Sequence, residues 1–566
     1  MIGHASTFLY DAGSLCYVHD DDIRVLHLHG AARTEQVMNI SNVVARLLPQ
    51  HVPGSMPIRL SLLHYSEGIL AFLVELAEGP EAWLLAIDMR QRPESPRNGR
   101  LRLRTQLSST RRLFVRHNRD HLYYGTHSSL GYHGYPLWAI HCVDLKSGHH
   151  LTEKPVELEH FAGNEIGQTA CFGLHHNHLY AVSTQVHFEE EEEVDWTSFY
   201  VWVCLSPGPN TRRAIPNRTW RRQHREGPIN DTWTDLSLRH DEATNRLMIL
   251  ECRREWHDGG SENSRTYYMQ GLPSPDEICP SSDVGGLTAT DTQPPASEPL
   301  AKALSPSSKP NYERPKKRLR RHYHSEYQLG SDSSHRQDYI LAKTKYRAYN
   351  LSSSAFVDLV NDPRPGNTTT NNLPHDRLRL RTVSRKRKSP IDEAGEEGPP
   401  GLLFKPDLHD NTGRPIEHSE ERFTSRGVHL WPPNNAPPEL DRLLCPSARA
   451  GRVQAMTDER SLVYSVNHDS LSDGKQALIC INFDPTIRFQ GLAHFHQYTP
   501  SFNNINSPVQ DHASVAMGIE QPFGNGPSRE RHSMAIVRTT ATNVGMPSVR
   551  EEDAMYTRIN QGYWLR

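Results

Sequence analysis

Six times along this 566-residue chain, two apolar runs of strand composition flank a polar or Gly-rich turn. The clearest instance lies between Leu113 and Leu145. Leu122-Tyr123-Tyr124 suits a pleated surface, a connection passes through Gly131 and Gly134, and Leu137 to Leu145 returns. The other copies pair Leu15–Val18 with Ile23–Leu28 across three aspartates, and Ile69–Leu76 with Trp83–Asp88 across Gly79-Pro80. Leu179–Thr184 pairs with Trp196–Cys204 across an acidic loop, Leu247–Cys252 with Thr266–Met269 across Gly259-Gly260, and Leu462–Val466 with Ala477–Phe483.

The first five copies start near Leu15, Ile69, Leu122, Leu179 and Leu247, at steps of 54, 53, 57 and 68 residues. Known propeller blades repeat at ~40–50 residues, and loop insertions lengthen the step. A thin hairpin cannot bury both its faces alone; radial stacking does so and leaves only short edges. A sandwich would not need regular spacing over such a length. The expected fold class is therefore all-β: a β-propeller of about six to seven blades with long disordered insertions. The aromatic end, Ala554 to Arg566, predicts a closing C-terminal strand in which Met555 to Leu565 pairs with the N-terminal strands. Thr7–Tyr10 reads as a further strand, and Asn39–Leu48 as a short helix on a connection.

With 36% apolar residues, 40 prolines and 36 glycines, the composition supports a folded portion of roughly 350–400 residues. The expected organisation is a first propeller half over 1–272, a disordered Ser/Pro-rich insertion over 273–310, and a second half with basic loops over 311–498. A disordered tail over 499–550 and the closing strand over 551–566 follow. Tyr339 to Leu359 marks where order resumes.

Eight cysteines are scattered singly, which suits reduced, mostly buried thiols. There is no charged-then-apolar leader at Met1 and no apolar run long enough to span a bilayer. The expectation is an intracellular protein of nucleus and/or cytoplasm, with no membrane partner. A formal charge of −3 argues against the whole molecule as a nucleic-acid binder.

Candidate chemistry is sparse. His175, His176 and His178 form the densest part of a histidine-rich composition, but strand neighbours point to opposite faces and do not share an ion easily. No metal, cofactor or catalytic residue is assigned. Asp195 and Glu226 are carboxylates of the kind a propeller glycoside hydrolase would pair. No GxSxG elbow or phosphate-cradling Gly-rich loop is present. The block Trp220, Arg221, Arg222, Gln223, His224 offers aromatic and charged side chains to a protein partner, or else forms a solvated connection over a buried Trp220. Two compact basic runs, Lys316-Lys317-Arg318-Leu319-Arg320-Arg321 and Arg385-Lys386-Arg387-Lys388, have the form of nuclear import signals. Ser389-Pro390 beside the second is a candidate phosphorylation site.

Several stretches resemble a known family: LFVRHNRDHLYYGTHS, DWTSFYVW, WRRQHREGPINDTW, DEATNRLMILECRREW, ILAKTKYRAYNLSSSAFVDLVNDP, DRLRLRTVSRKRKSP, SEERFTSRGVHLWPP and LICINFDPTIR. They are similar to filamentous-fungal F-box proteins with a propeller-like C-terminal region, over about Leu113 to Arg488. The resemblance implies a substrate-recruiting subunit of a cullin-type ubiquitin ligase, whose F-box binds a Skp-type linker and whose propeller captures the client. No Leu-rich F-box precedes the first hairpin here, so the Skp-type linker and cullin are expected as partners only if an upstream F-box exists. The leading expectation is a non-catalytic protein-interaction propeller. The alternatives are a propeller glycoside hydrolase and a basic-loop nucleic-acid binder.

Overall fold

The computed structural model describes residues 1–48, 57–76, 81–90, 100–131, 134–159, 161–185, 198–208, 217–222, 233–242, 244–256, 263–278, 323–325, 343–363, 375–387, 423–425, 429–471, 474–490, 492–494, 534–538, 548–559 and 561–564. It is a β-propeller of seven blades, and each blade is an antiparallel sheet read from the centre outward.

After β1 (Gly3–Ala5), blade 1 comprises β2 (Thr7–Asp11), β3 (Ser14–His19), β4 (Asp22–His27) and β5 (Thr34–Asn39). Helix α1 (Ile40–Leu47) leads onward, its first turn capped by Asn39 Oδ1, which accepts from Asn42 N at 3.0 Å. Blade 2 is β6 (Pro57–Ser66), β7 (Ile69–Leu76), β8 (Ala82–Asp88) and β9 (Leu101–Leu107). Blade 3 is β10 (Phe114–His117), β11 (His121–Leu130) and β12 (Pro136–Asp144), edged by β13 (His149–His150) and β14 (Val156–Glu157). Blade 4 is β15 (Ala170–His175), β16 (His178–Ser183), β17 (Ser198–Leu205) and β18 (Asn217–Arg222). Blade 5 is β19 (Asp235–Asp241), β20 (Arg246–Trp256), β21 (Asn263–Gly271) and β22 (Tyr323–Ser325). Blade 6 is β23 (Lys343–Tyr346) and β24 (Tyr349–Asn350) on β25 (Ala355–Asn361), then β26 (Leu378–Arg387) with β27 (Phe423–Ser425) and β28 (His429–Trp431). Blade 7 is β29 (Gln454–Thr457), β30 (Ser461–Val466) and β31 (Gln476–Asn482), with β1 as its outermost strand. Outside the blades, β32 (Ala493–His494) pairs with β35 (Tyr563–Trp564). β33 (Met534–Arg538) pairs with β6, and β34 (Val549–Asp553) with β5.

The six hairpins of the sequence are the middle two strands of six blades. Those strands are buried on both faces because neighbouring blades pack on either side. Seven apolar cores follow, one per seam. The seam of blades 1 and 2 holds Val18, Val25, Leu60 and Phe72 with α1; that of blades 3 and 4 holds Phe114, Trp138 and Phe172. Among the described residues the smallest core is that of blades 5 and 6: Leu250, Cys252, Tyr267, Tyr349, Phe356 and Val383. A buried ionic cluster adds to it. Asp358 accepts from Arg265 at 2.6 and 3.0 Å and from Arg381 at 2.6 and 3.1 Å.

Ring closure differs from the expectation. β1 pairs with β31, Gly3 opposite Leu478, and Ser6 alone separates it from β2 of the first blade. The N-terminal strand thus ties the last blade to the first by a covalent link. The C-terminal segment also returns to blade 1, but through β34. Met555–Ile559 is a short helix, packed where Met555 N donates to Glu35 Oε1 at 3.1 Å. Tyr556 is buried against Phe489, so the apolar character that suggested a strand is satisfied by a helical turn. The segment 499–550, expected to be without structure, contributes β33 and the start of β34. Most of 273–310 lies outside the described residues.

Candidate functional site: the central channel

The seven inner strands enclose a channel with a cavity of about 1080 Å³, to which every blade contributes. Tight turns from inner to second strand ring one mouth. Several have positive φ, as at Ala12 (44°), Gly13 (74°), Glu67 (49°), Gly68 (83°), His176 (46°) and Asn177 (65°). Polar contacts lock these turns to one another. Tyr10 Oη and Gly13 N both donate to Asp458 Oδ2, at 2.6 and 2.8 Å, joining blades 1 and 7. His240 Nε2 meets Leu174 O at 3.2 Å between blades 5 and 4.

The ring is uneven at blade 6. Blade 5 reaches blade 7 directly, through Arg460 to Glu242 at 3.1 Å and Arg239 Nη1 to Thr457 O at 3.3 Å. Behind this bridge the cavity extends sideways between blades 5 and 6, past Asp235 to Leu250, Tyr267 and Tyr349. The last two rings stack at 4.7 Å.

This side of the channel is cationic. Arg239, Lys345, Arg347 and Arg452 line it. Arg239 and Lys345 donate to backbone carbonyls, Lys345 Nζ to Gly451 O at 3.4 Å. The Arg347 guanidinium lies 5.0 Å from the Trp233 ring centre, and Arg254 lies 4.3 Å from the same ring. The channel's carboxylates are mostly spoken for. Asp458 holds Tyr10, Gly13 and His29; burial raises its pKa, but the bonds from His29, Tyr10 and Arg460 N outweigh this and hold it at about 2. Glu242 faces Arg460, and Glu459 accepts from Ser352 N at 2.8 Å. Asp235 differs. Its Oδ1 is shielded from solvent and accepts no hydrogen bond among the described residues. Burial pushes its pKa up to about 7, against the pull of Arg347 and Arg265.

Two of the channel histidines, His117 and His175, are packing groups that burial keeps neutral. His117 stacks edge-on to His64 at 4.5 Å and lies within hydrogen-bond distance of His64 O and Asn118 O; burial brings its pKa to about 4. His175 is lowered to about 4 by burial and by His176 and His240. His176 and Asn177 form the β15–β16 turn. Among the described residues no three His, Cys, Asp or Glu side chains are placed to hold a metal ion.

The residues singled out in the sequence lie elsewhere. Arg221 is corrected as a partner contact: it is buried on β18 and donates to Glu251 Oε1 at 2.5 and 2.8 Å, a clasp between blades 4 and 5. Trp220 and Arg222 belong to the same strand, and His224 is outside the described residues. So are Asp195, Glu226 and Lys316 to Arg321. Arg385 to Arg387 are not in a loop. They end β26 and pair with Ser425, Thr424 and Phe423; Lys388 lies beyond the described residues. The cationic wall was missed. Its signal was three cations, Lys343, Lys345 and Arg347, within five residues; a register shift in β23 and the strand's end at Tyr346 keep simple alternation from placing them.

No family model and no curated protein matches the chain. Solved structures that resemble it include a prolyl endopeptidase at 10% identity and a TM-score of 0.28, covering 77% of this chain and 49% of that one. An acylaminoacyl peptidase of Pyrococcus horikoshii gives 10% and 0.24, covering 58% and 49%. Extracellular domains 1–2 of Drosophila Semaphorin 1b give 10% and 0.31, covering 86% of each chain. The chain spans about half the length of the two peptidases.

Proposed function

We propose that this propeller is a non-catalytic interaction module that holds a client-protein segment at its channel mouth, the role implied by its resemblance to F-box substrate receptors. The observation that carries the reading is how the channel's carboxylates are used. Asp458 and Glu242 brace turns between blades, as a rigid docking rim needs. Asp235 begins β19, whereas Asp458 follows the end of β29. Inner strands run alongside one another, so the two carboxylates stand toward opposite ends of the channel rather than face to face. Glycosidases space theirs at about 5–10 Å. An F-box helix bundle is not among the described elements, so ligase assembly through a Skp-type linker and cullin would depend on a further module. Of the two basic runs, Lys316 to Arg321 is the one we assign to nuclear import, since Arg385 to Arg387 are engaged in a ladder.

The test places a photo-crosslinking residue at His240, on the mouth, or at Glu551, on the outer edge of blade 1. One client, identified by mass spectrometry and shown to bind the purified chain, should crosslink from position 240 and not from 551. Equal crosslinking from both positions, or glycoside turnover abolished by Asp235→Asn, would overturn the reading.

A further inference from the structure

We propose that the side chamber between blades 5 and 6 seats a carboxylate side chain from an acidic segment of the client, gripped by Arg347 with Lys345, while Asp235 lends it a hydrogen-bond donor. This rests on the receptor reading and names what that receptor selects.

Three observations converge. First, the chamber is a real recess: the cavity passes β19 and reaches Leu250, Tyr267 and Tyr349. Second, its charge is unbalanced. Lys345, Arg347 and Arg452 line it near the one carboxylate of Asp235, and Arg347 stands beside Trp233. An acidic ligand would meet guanidinium and ammonium groups now bonded to carbonyls or resting on a ring. Third, among the described residues Asp235 Oδ1 is buried without a partner, as is Thr234 Oγ1 beside it. A shielded polar atom without a partner costs about 1–3 kcal/mol, and a ligand that supplies the missing bond recovers it.

Asp235 faces Cys252 across the β19–β20 ladder, Tyr267 and Arg265 from β21, and Arg347 from blade 6. With its pKa near 7, its protonated form is available at mildly acidic pH and can donate to a ligand carboxylate, the two acids sharing one proton. A phosphate fits less well, because its charge of about −2 would face Asp235 at closer to full repulsion.

Fluorescence anisotropy with the full chain tests this, using a labelled ten-residue peptide rich in glutamate. Matched lysine and phosphoserine peptides serve as comparisons. The glutamate peptide should bind at least ~10-fold tighter than the other two, since one charge-assisted bond contributes that much. Affinity should fall as pH rises from 6 to 8. Asp235→Asn keeps a donor but cannot ionise, so its binding should stay at the low-pH level throughout. Arg347→Glu should weaken binding by ~10-fold or more, with a thermal melt to confirm folding; Arg452→Glu, on an exposed lining residue, is the second variant. Equal binding of the lysine peptide, preference for the phosphopeptide, an unchanged pH profile in Asp235→Asn, or no binding at all would overturn the proposal. Client crosslinking from position 240 would still stand in those cases, so the two readings fail separately.

Discussion

Replacing Asp358 by alanine should open the seam between blades 5 and 6. The carboxylate is fully buried and takes four hydrogen bonds from two guanidiniums. Removing it leaves Arg265 and Arg381 buried without their counter-ion, which costs about 3–5 kcal/mol. That is a large share of the ~5–15 kcal/mol that holds a typical domain together. The seam has little in reserve, since its apolar core is the smallest among the described residues. Urea unfolding followed by tryptophan fluorescence measures the loss. A triple variant, Asp358→Ala with Arg265→Met and Arg381→Met, should recover most of it, because apolar groups of similar volume remove the unpaired charge. The pH dependence has a fixed sign. Burial raises the Asp358 pKa, but Arg265 and Arg381 outweigh this and lower it overall. Its contribution is therefore present above the unfolded value of about 3.9 and fades as pH falls through the folded one. The gap between wild type and Asp358→Ala should be full at pH 7 and narrow below about pH 4. A cost under ~1 kcal/mol at pH 7, or a triple variant no more stable than the single, would refute the argument.

Other outcomes follow from the same geometry. His4→Pro removes a β1 donor opposite Ala477 and should loosen the ring seam, lowering the melting temperature by an amount equivalent to about 2–3 kcal/mol. Asp458→Asn should destabilise at neutral pH by ~1–3 kcal/mol; with its folded pKa near 2, the difference should disappear only in strong acid, as read by melts from pH 7 to 2. Gly125→Ala would place a Cβ 2.7 Å from Phe114 and 2.9 Å from Ala139 O. It should cost ~1–3 kcal/mol by displacing the Phe114–Phe172 stack, visible in near-UV circular dichroism.

The repeat of apolar hairpins was enough to specify a propeller, because only strands packed between two neighbours need apolar residues on both faces. The middle strands of six blades were legible for that reason. Blade 6 was obscured by the alternation Leu378-Arg379-Leu380-Arg381, which reads as half-solvated; in the structure both arginines are buried against Asp358, Asp362 and backbone carbonyls. Inner strands such as Gln454–Thr457 escaped notice because they line the channel and carry no apolar run. Sequence spacing said nothing of which terminal segment closes the ring or what surrounds Asp235. Those depend on interactions between residues a hundred or more positions apart, such as Gly3 with Leu478, Arg239 with Thr457 and Asp235 with Arg347. The sequence therefore set the repeating unit, while the order of closure and the chemistry of the channel arose only when seven units met around one axis.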